Sequence, residues 1–223
     1  MRIPRSLTAL ALFLAGCTVG GIANDPITRG FQWPDVMAGN DIRRDCGPGS
    51  PERWRFVYNG IYSEQVRVYE IEGSALDVRV FDRLALGFFD SSAADRFLHG
   101  ARAHADLDRE DRERLARAWE SDMTKAAKPG DYVRSDRFFW TAALCRDGRF
   151  SVAAFPYPAD GTQPFDFPAL LARFDRTDRP TNPPRPVARD AGTRADFAPS
   201  RHSGDTGIRF LLTVTPDGLR PEY

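Results

Sequence analysis

The sequence predicts a single α+β domain: a mostly antiparallel sheet of about six strands with two or three helices on one face. Three observations lead there. Short runs of alternating apolar and polar residues are separated by turn residues at Asn59-Gly60, Glu72-Gly73-Ser74 and Arg146-Asp147-Gly148. Between the second and third of these turns, residues 92–126 change to helical spacing. Finally, 223 residues with 42% hydrophobic content carry enough apolar material for one sizeable core. There is no internal repeat.

The N-terminal segment comes first in the chain. Arg2 and Arg5 precede an apolar run from Leu7 to Leu14, and the small residues Ala15-Gly16 lead to Cys17. This is the layout of a secretory segment, and the run is too short to span a bilayer as a helix. Leu14-Ala15-Gly16-Cys17 closely resembles the lipobox of bacterial lipoproteins. The resemblance implies that the Cys17 thiol receives diacylglycerol, that a dedicated peptidase removes residues 1–16, and that the new amine is acylated. The membrane, reached through this lipid anchor, is thus an expected partner. Thr18, rather than Asp, after the cysteine implies by the same resemblance to enterobacterial members an outer-membrane location facing the periplasm. Each buried acyl CH2 contributes about 0.8 kcal/mol, so one chain holds marginally and two or more anchor stably.

Export also decides how the other cysteines read. With Cys17 lipidated, Cys46 and Cys145 remain, in a compartment where disulfides persist, and a bond between them is expected. It would close a loop of about 100 residues, for which chain entropy gives about 4.7 kcal/mol. A catalytic thiol would instead need a histidine beside it, and His99, His104 and His202 form no pattern that supplies one. Lys plus Arg and Asp plus Glu both number 31, and removing Arg2 and Arg5 leaves a slight acidic excess, so nothing argues for nucleic acid. Lys125 and Lys128 are the only lysines.

Residues 17–30 read as the acylated end and a tether, and 31–175 as the α+β domain. Residues 31–51 form an irregular leading segment pinned by Cys46. Asn59-Gly60 suits a type I′ hairpin turn, which pairs Tyr58 with Ile61, Phe56 with Ser63 and Trp54 with Gln65 on one side. On the other, Val57 meets Tyr62 and Arg55 meets Glu64. The alternation slips near Val68, where a bulge is expected. Leu76, Val78 and Val80 give a third strand. Ser92 caps a short helix through Phe97, Leu98 and Ala101. Asp108 caps a better one, with Glu110 and Asp111 in its first turn and Leu115, Ala118, Trp119, Met123 and Ala126 along one face. Phe138 to Cys145, apolar on both faces, reads as a central strand. A three-residue loop, Arg146-Asp147-Gly148, joins it to Phe150–Phe155 and aligns Leu144 with Phe150, Ala142 with Val152 and Trp140 with Ala154. A short helix over Ala169 to Phe174 follows. Residues 176–207, rich in proline and charge, read as a mobile excursion. Residues 208–223 supply the final strand and tail, with Phe210, Leu212 and Val214 alternating.

The sequence yields no catalytic, cofactor-binding or metal-ligating set. His99 and His104 would stand about 140° apart on a helix, off the shared face that a zinc pair needs. The charged run from Asp106 to Arg117 alternates in sign and reads as a solvated helix face. Asp90-Ser91-Ser92 lacks the Gly-x-Ser-x-Gly elbow, and helix capping accounts for the serines. No phosphate loop, dinucleotide fingerprint or calcium loop is present. Carboxylates brought together by folding leave no such spacing, so Glu64, Glu70 and Glu72, which share one strand face, stay open as an acid pair. Their plainer reading is a solvated strand edge paired to Arg55 and Arg79. The leading expectation is a non-catalytic envelope lipoprotein that binds or positions an envelope protein or cell-wall component. The alternative is a lipid-anchored hydrolase of cell-wall or other envelope polymer.

Overall fold

A computed structural model of the chain describes residues 34–62, 64–82, 100–162, 164–187 and 210–222. In chain order the elements are α1 (Asn40–Asp45), β1 (Arg53–Gly60), β2 (Gln65–Glu72), β3 (Ala75–Asp82), β4 (Ala101–Asp106), α2 (Arg109–Asp122) and a 3-10 turn (Met123–Lys125). Then come β5 (Tyr132–Arg134), β6 (Phe138–Arg146), β7 (Arg149–Pro156), α3 (Phe167–Ala172), β8 (Leu211–Thr215) and β9 (Gly218–Glu222). The main sheet has the order β4-β3-β2-β1-β6-β7, and a smaller one the order β5-β8-β9. All the pairings are antiparallel. The chain is a single α+β domain with a six-stranded antiparallel sheet, as the sequence predicts.

The membership of that sheet differs from the expectation. Its sixth strand is β4, Ala101–Asp106, in place of the expected short helix whose apolar face reached Ala101. The alternation of half-buried alanines with exposed Arg102, His104 and Asp106 suits an edge strand. Ser92, Phe97 and Leu98 lie outside the described residues. The C-terminal segment instead forms a hairpin, β8–β9, in the small sheet. Residues 34–38 and α1 are helical where an irregular segment was expected.

The β1–β2 turn is also displaced. Asn59 pairs with Val66 and Tyr58 with Arg67, so the turn spans residues 61–64, one turn later than Asn59-Gly60. Glu64 and Gln65 donate their amides to the Ile61 carbonyl there. Asn59 is instead fully buried inside the strand, where its Nδ2 donates to the carbonyls of Ser135 (2.9 Å) and Arg137 (2.6 Å). The expected bulge near Val68 is replaced by unbroken pairing to both neighbours, because β2 is buried on both faces. In the β6–β7 hairpin, Asp147 (φ 52°) and Gly148 (φ 69°) are both left-handed, and Arg146 pairs with Arg149. That is a two-residue loop. It aligns Trp140 with Phe155, one residue from the expected partner.

Strand alternation gives the sheet two cores. On one face Trp54, Phe56, Tyr58, Tyr69, Trp140 and Phe155 pack beneath α2 and α3, through Leu115, Phe167 and Leu171. On the other, Val57, Val66, Val68 and Phe139 meet Val36 and Met37 from the leading helix and Phe210 and Leu212 from the small sheet. α2 has the predicted cap: the Asp108 side chain accepts from the Asp111 amide at 2.8 Å. α3 begins two residues before the expected helix. Its start is held by the buried Asp122 carboxylate, which accepts from the amides of Asp166 (2.6 Å) and Phe167 (3.1 Å).

Candidate functional site

The expected disulfide is present, joining Cys46 to Cys145 with Cα atoms 5.6 Å apart. It ties the end of α1 to β6, an interior strand between β1 and β7. Gly39 makes the approach possible at the other end of α1, since a Cβ there would lie 2.3 Å from the Ala143 Cβ. Cys17, His99 and His202 lie outside the described residues.

The three strand glutamates separate on folding. Glu70 meets Arg55 at 2.6 Å and Arg79 at 3.6 Å, the pairing that the plainer reading named. Arg55, expected opposite Glu64, is 1% exposed and also meets both Asp41 oxygens, at 2.6 and 2.8 Å. Burial acts to raise the Asp41 carboxyl, but the Arg55 hydrogen bond and charge outweigh it and hold the pKa below its ordinary value. Burial likewise opposes the Arg55 charge, and Asp41 with Glu70 more than reverses that effect. Glu72 is exposed at the strand end. Glu64 sits in the turn, 2.6 Å from Arg185. His104 stands on β4, not on a helix, 3.2 Å from Asp77 with both side chains more than half exposed. Arg55, Glu70 and Asp41 thus form a structural clamp between α1 and the sheet.

The stretch read as mobile begins with an anchored strap. Residues 176–187 carry no helix or strand, yet they are tied to the sheet over most of their length. Arg67, 1% exposed, pairs with Asp175 and donates to the Arg179 carbonyl. Gln65 donates to the Pro180 carbonyl at 2.9 Å and accepts from the Asn182 amide at 2.9 Å. Tyr58 donates to the Asn182 carbonyl at 2.6 Å, and burial pushes the Tyr58 phenol up, keeping that donor protonated. Proline withholds its own N–H, so buried strand side chains supply the bonds that a ladder would otherwise make. Residues 188–207 lie outside the described residues.

This strap walls one side of a groove. The other side is β5 and the facing ends of β6 and β7, and the volume is about 220 Å³. Phe138, Tyr157 and Tyr132 supply aromatic surface. Tyr132 is 40% exposed, the one large hydrophobic side chain exposed among the described residues. Arg134, Arg137 and Arg185 place three guanidinium groups on the rim. Arg185 lies over the Phe138 ring at 5.2 Å, and Asp136 orients Arg134 (2.7 Å) and Arg137 (3.2 Å). The sequence marked none of these as site residues, because they come from four segments that only folding brings together. The groove can take an apolar or aromatic group joined to an anion. At this volume it suits one anchoring group of a larger partner rather than a whole drug-sized molecule.

Compared with known proteins, the chain matches no family model, no curated protein and no solved structure.

Proposed function

We propose that this chain is a lipid-anchored envelope lipoprotein, held through Cys17 at the outer membrane and facing the periplasm, that binds or positions another envelope component without catalysis. The groove between the strap and β5 is the binding surface. The observation that carries this reading is the pairing of aromatic walls with a rim of guanidiniums at Arg134, Arg137 and Arg185. Aromatic and arginine side chains dominate the energetics of protein interfaces, and an exposed Tyr132 beside them is the expected form of such a contact. The carboxylates near the groove, Asp136 and Glu64, are placed as partners of rim arginines rather than as a facing acid pair. The anchor and the binding surface together fit a module that holds a partner near the membrane.

The test is recovery of crosslinked partners from the native envelope, comparing wild type with Tyr132→Ala and Arg137→Ala. Partners recovered with wild type and lost with both variants support the reading. Equal recovery with all three overturns it, as does peptidoglycan or ester hydrolysis that Gln at position 64, 70 or 72 abolishes.

A further inference from the structure

We infer that the outer edge of β4 docks a second copy of this chain, antiparallel about a two-fold axis, so that two six-stranded sheets continue as one. Strand β4 ends the main sheet, and among the described residues no strand lies beyond it. The outward peptide groups of such an edge are a template for another strand. Residues 101–106 carry few of the features that keep edges apart: they include no proline and no lysine, and they pair with β3 without a bulge.

Which peptide groups face outward follows from the β3–β4 ladder. Leu107 donates its amide to the Ser74 carbonyl at 2.8 Å, one step beyond the Ala75–Asp106 pair. Peptide groups alternate in direction along a strand, so those of Ala101, Ala103 and Ala105 face β3, and those of Arg102, His104 and Asp106 face away from it. One antiparallel register uses all three on both copies. It sets His104 opposite its own counterpart at the axis, and Arg102 opposite Asp106 of the partner subunit on each side. Sliding that register by two residues in either direction carries one outward group of each copy past the strand end. The strand is thus complementary to itself in hydrogen bonding and in charge at the same register.

The side chains around the edge favour the same partner. Arg102, His104 and Asp106 are exposed on one face, while Ala103 and Ala105 pack against the core on the other. Arg102 stands directly opposite Arg79 of β3, a pairing of like charges that is unfavourable within one sheet. Burial, and with it the charge of Arg102, pushes the Arg79 pKa below its ordinary value against the pull of Glu70. A carboxylate on the far side of Arg102 relieves that repulsion, and in the two-fold register Asp106 of the partner subunit stands there. The Asp106 side chain is 80% exposed and no closer than 4.0 Å to His104. Each His104 keeps its own Asp77 at 3.2 Å, so carboxylates flank the two imidazoles at the axis. The joined sheet leaves both grooves open, about 40 Å apart at a strand spacing of about 4.8 Å, because β6 is the fifth strand from the shared edge.

The full chain, purified from its native envelope in detergent, is weighed by sedimentation equilibrium, and single-cysteine additions are oxidised mildly with diamide beside wild type. A dimer is expected. Cα atoms in a hydrogen-bonded antiparallel pair lie about 5.5 Å apart, within the span of a disulfide. His104→Cys should therefore give a disulfide-linked dimer, whereas Arg102→Cys, about 14 Å from its counterpart, should not. Asp106→Arg should weaken the dimer about tenfold, and adding Arg102→Asp to it should restore the dimer. Tyr132→Ala and Arg137→Ala should leave the dimer unchanged, which keeps this interface apart from the groove. A monomer at about 100 μM overturns the inference. So does a dimer in which position 104 stays unlinked, linkage through position 102 as readily as through 104, linkage of position 104 to a different protein, or Asp106→Arg dimerising as wild type does.

Discussion

A guanidinium as deeply buried as that of Arg55 is stable only where carboxylates meet it, and the chain provides Asp41 from the leading helical segment and Glu70 from β2. Removing one partner of such a buried pair leaves a charge without compensation. Asp41→Asn should therefore lower unfolding stability by about 3 kcal/mol, measured by denaturant titration at neutral pH. The pH dependence follows from the direction of the shift. Because folding holds the Asp41 pKa below its ordinary value, its contribution is present above about pH 4 and is lost as the pH falls through the folded-state value. Wild type should lose stability more steeply than Asp41→Asn on acidification below pH 4. Parallel curves would show that the clamp contributes nothing there. At this scale the sequence was partly legible. Cys46 with Cys145 followed from compartment and count. Alternation named Arg55 and Arg79 as partners of the three strand glutamates together, but the expected register set Glu64 rather than Glu70 opposite Arg55. Asp41 and Asp122 were not legible, since each serves a group far away in the chain: Asp41 a strand arginine, Asp122 the amides that open α3.

Among the elements, the strap over residues 176–187 owes its order to bonds from β1 and β2 rather than to a pattern of its own. Asn182 is central to it: its side chain donates to the Gly60 carbonyl (2.6 Å) and to Glu64 (2.7 Å). Asn182→Ala should raise amide hydrogen exchange across 176–187 several-fold while lowering global stability by only about 1 kcal/mol. Unchanged exchange would mean that the strap is held by other contacts. The hairpins show how register is lost or kept when read from sequence. The β1–β2 pairing is displaced by six residues from the Asn59-Gly60 expectation, an even number, so Trp54, Phe56 and Tyr58 still face the odd-numbered residues of β2. In β6–β7 the slip is a single residue, which exchanges the faces of β7 and puts Phe155 rather than Ala154 beside Trp140. Asp147-Gly148 was the stronger two-residue turn, and Asn59 was needed elsewhere as a buried donor. The start of α2 was legible because cap, first-turn acids and apolar spacing all agreed, whereas its end falls at Asp122: Met123, expected on the helical face, lies in a 3-10 turn and Ala126 is extended. Asp108→Ala should destabilise by about 1 kcal/mol, read from the thermal unfolding midpoint.

For the whole molecule, the disulfide and the Asp41–Arg55 clamp fasten the leading helical segment to two adjacent interior strands, β6 and β1. Any lipid anchor at Cys17 would be joined to the body through this segment. Replacing Cys46 and Cys145 together by Ser should cost about 2–5 kcal/mol, and mass spectrometry of the membrane-extracted protein should show an acylated N-terminal Cys17. An unmodified N-terminus at another residue would remove the anchor from the account. The six-stranded α+β architecture was legible because alternation and helical spacing are local. The groove was not, because Tyr132, Phe138, Tyr157 and Arg185 become neighbours only once β5, β6, β7 and the strap have assembled. The most direct measurement is photocrosslinking from position 132. A photoreactive phenylalanine analogue replaces Tyr132 in the intact envelope, with the same analogue at the exposed Asp106 of the edge strand β4 as control. A discrete adduct is expected from position 132, one that Arg137→Ala removes and that position 106, whose expected neighbour is a second copy of the chain, does not give. No adduct at 132, or the same adducts from both positions, would contradict that expectation.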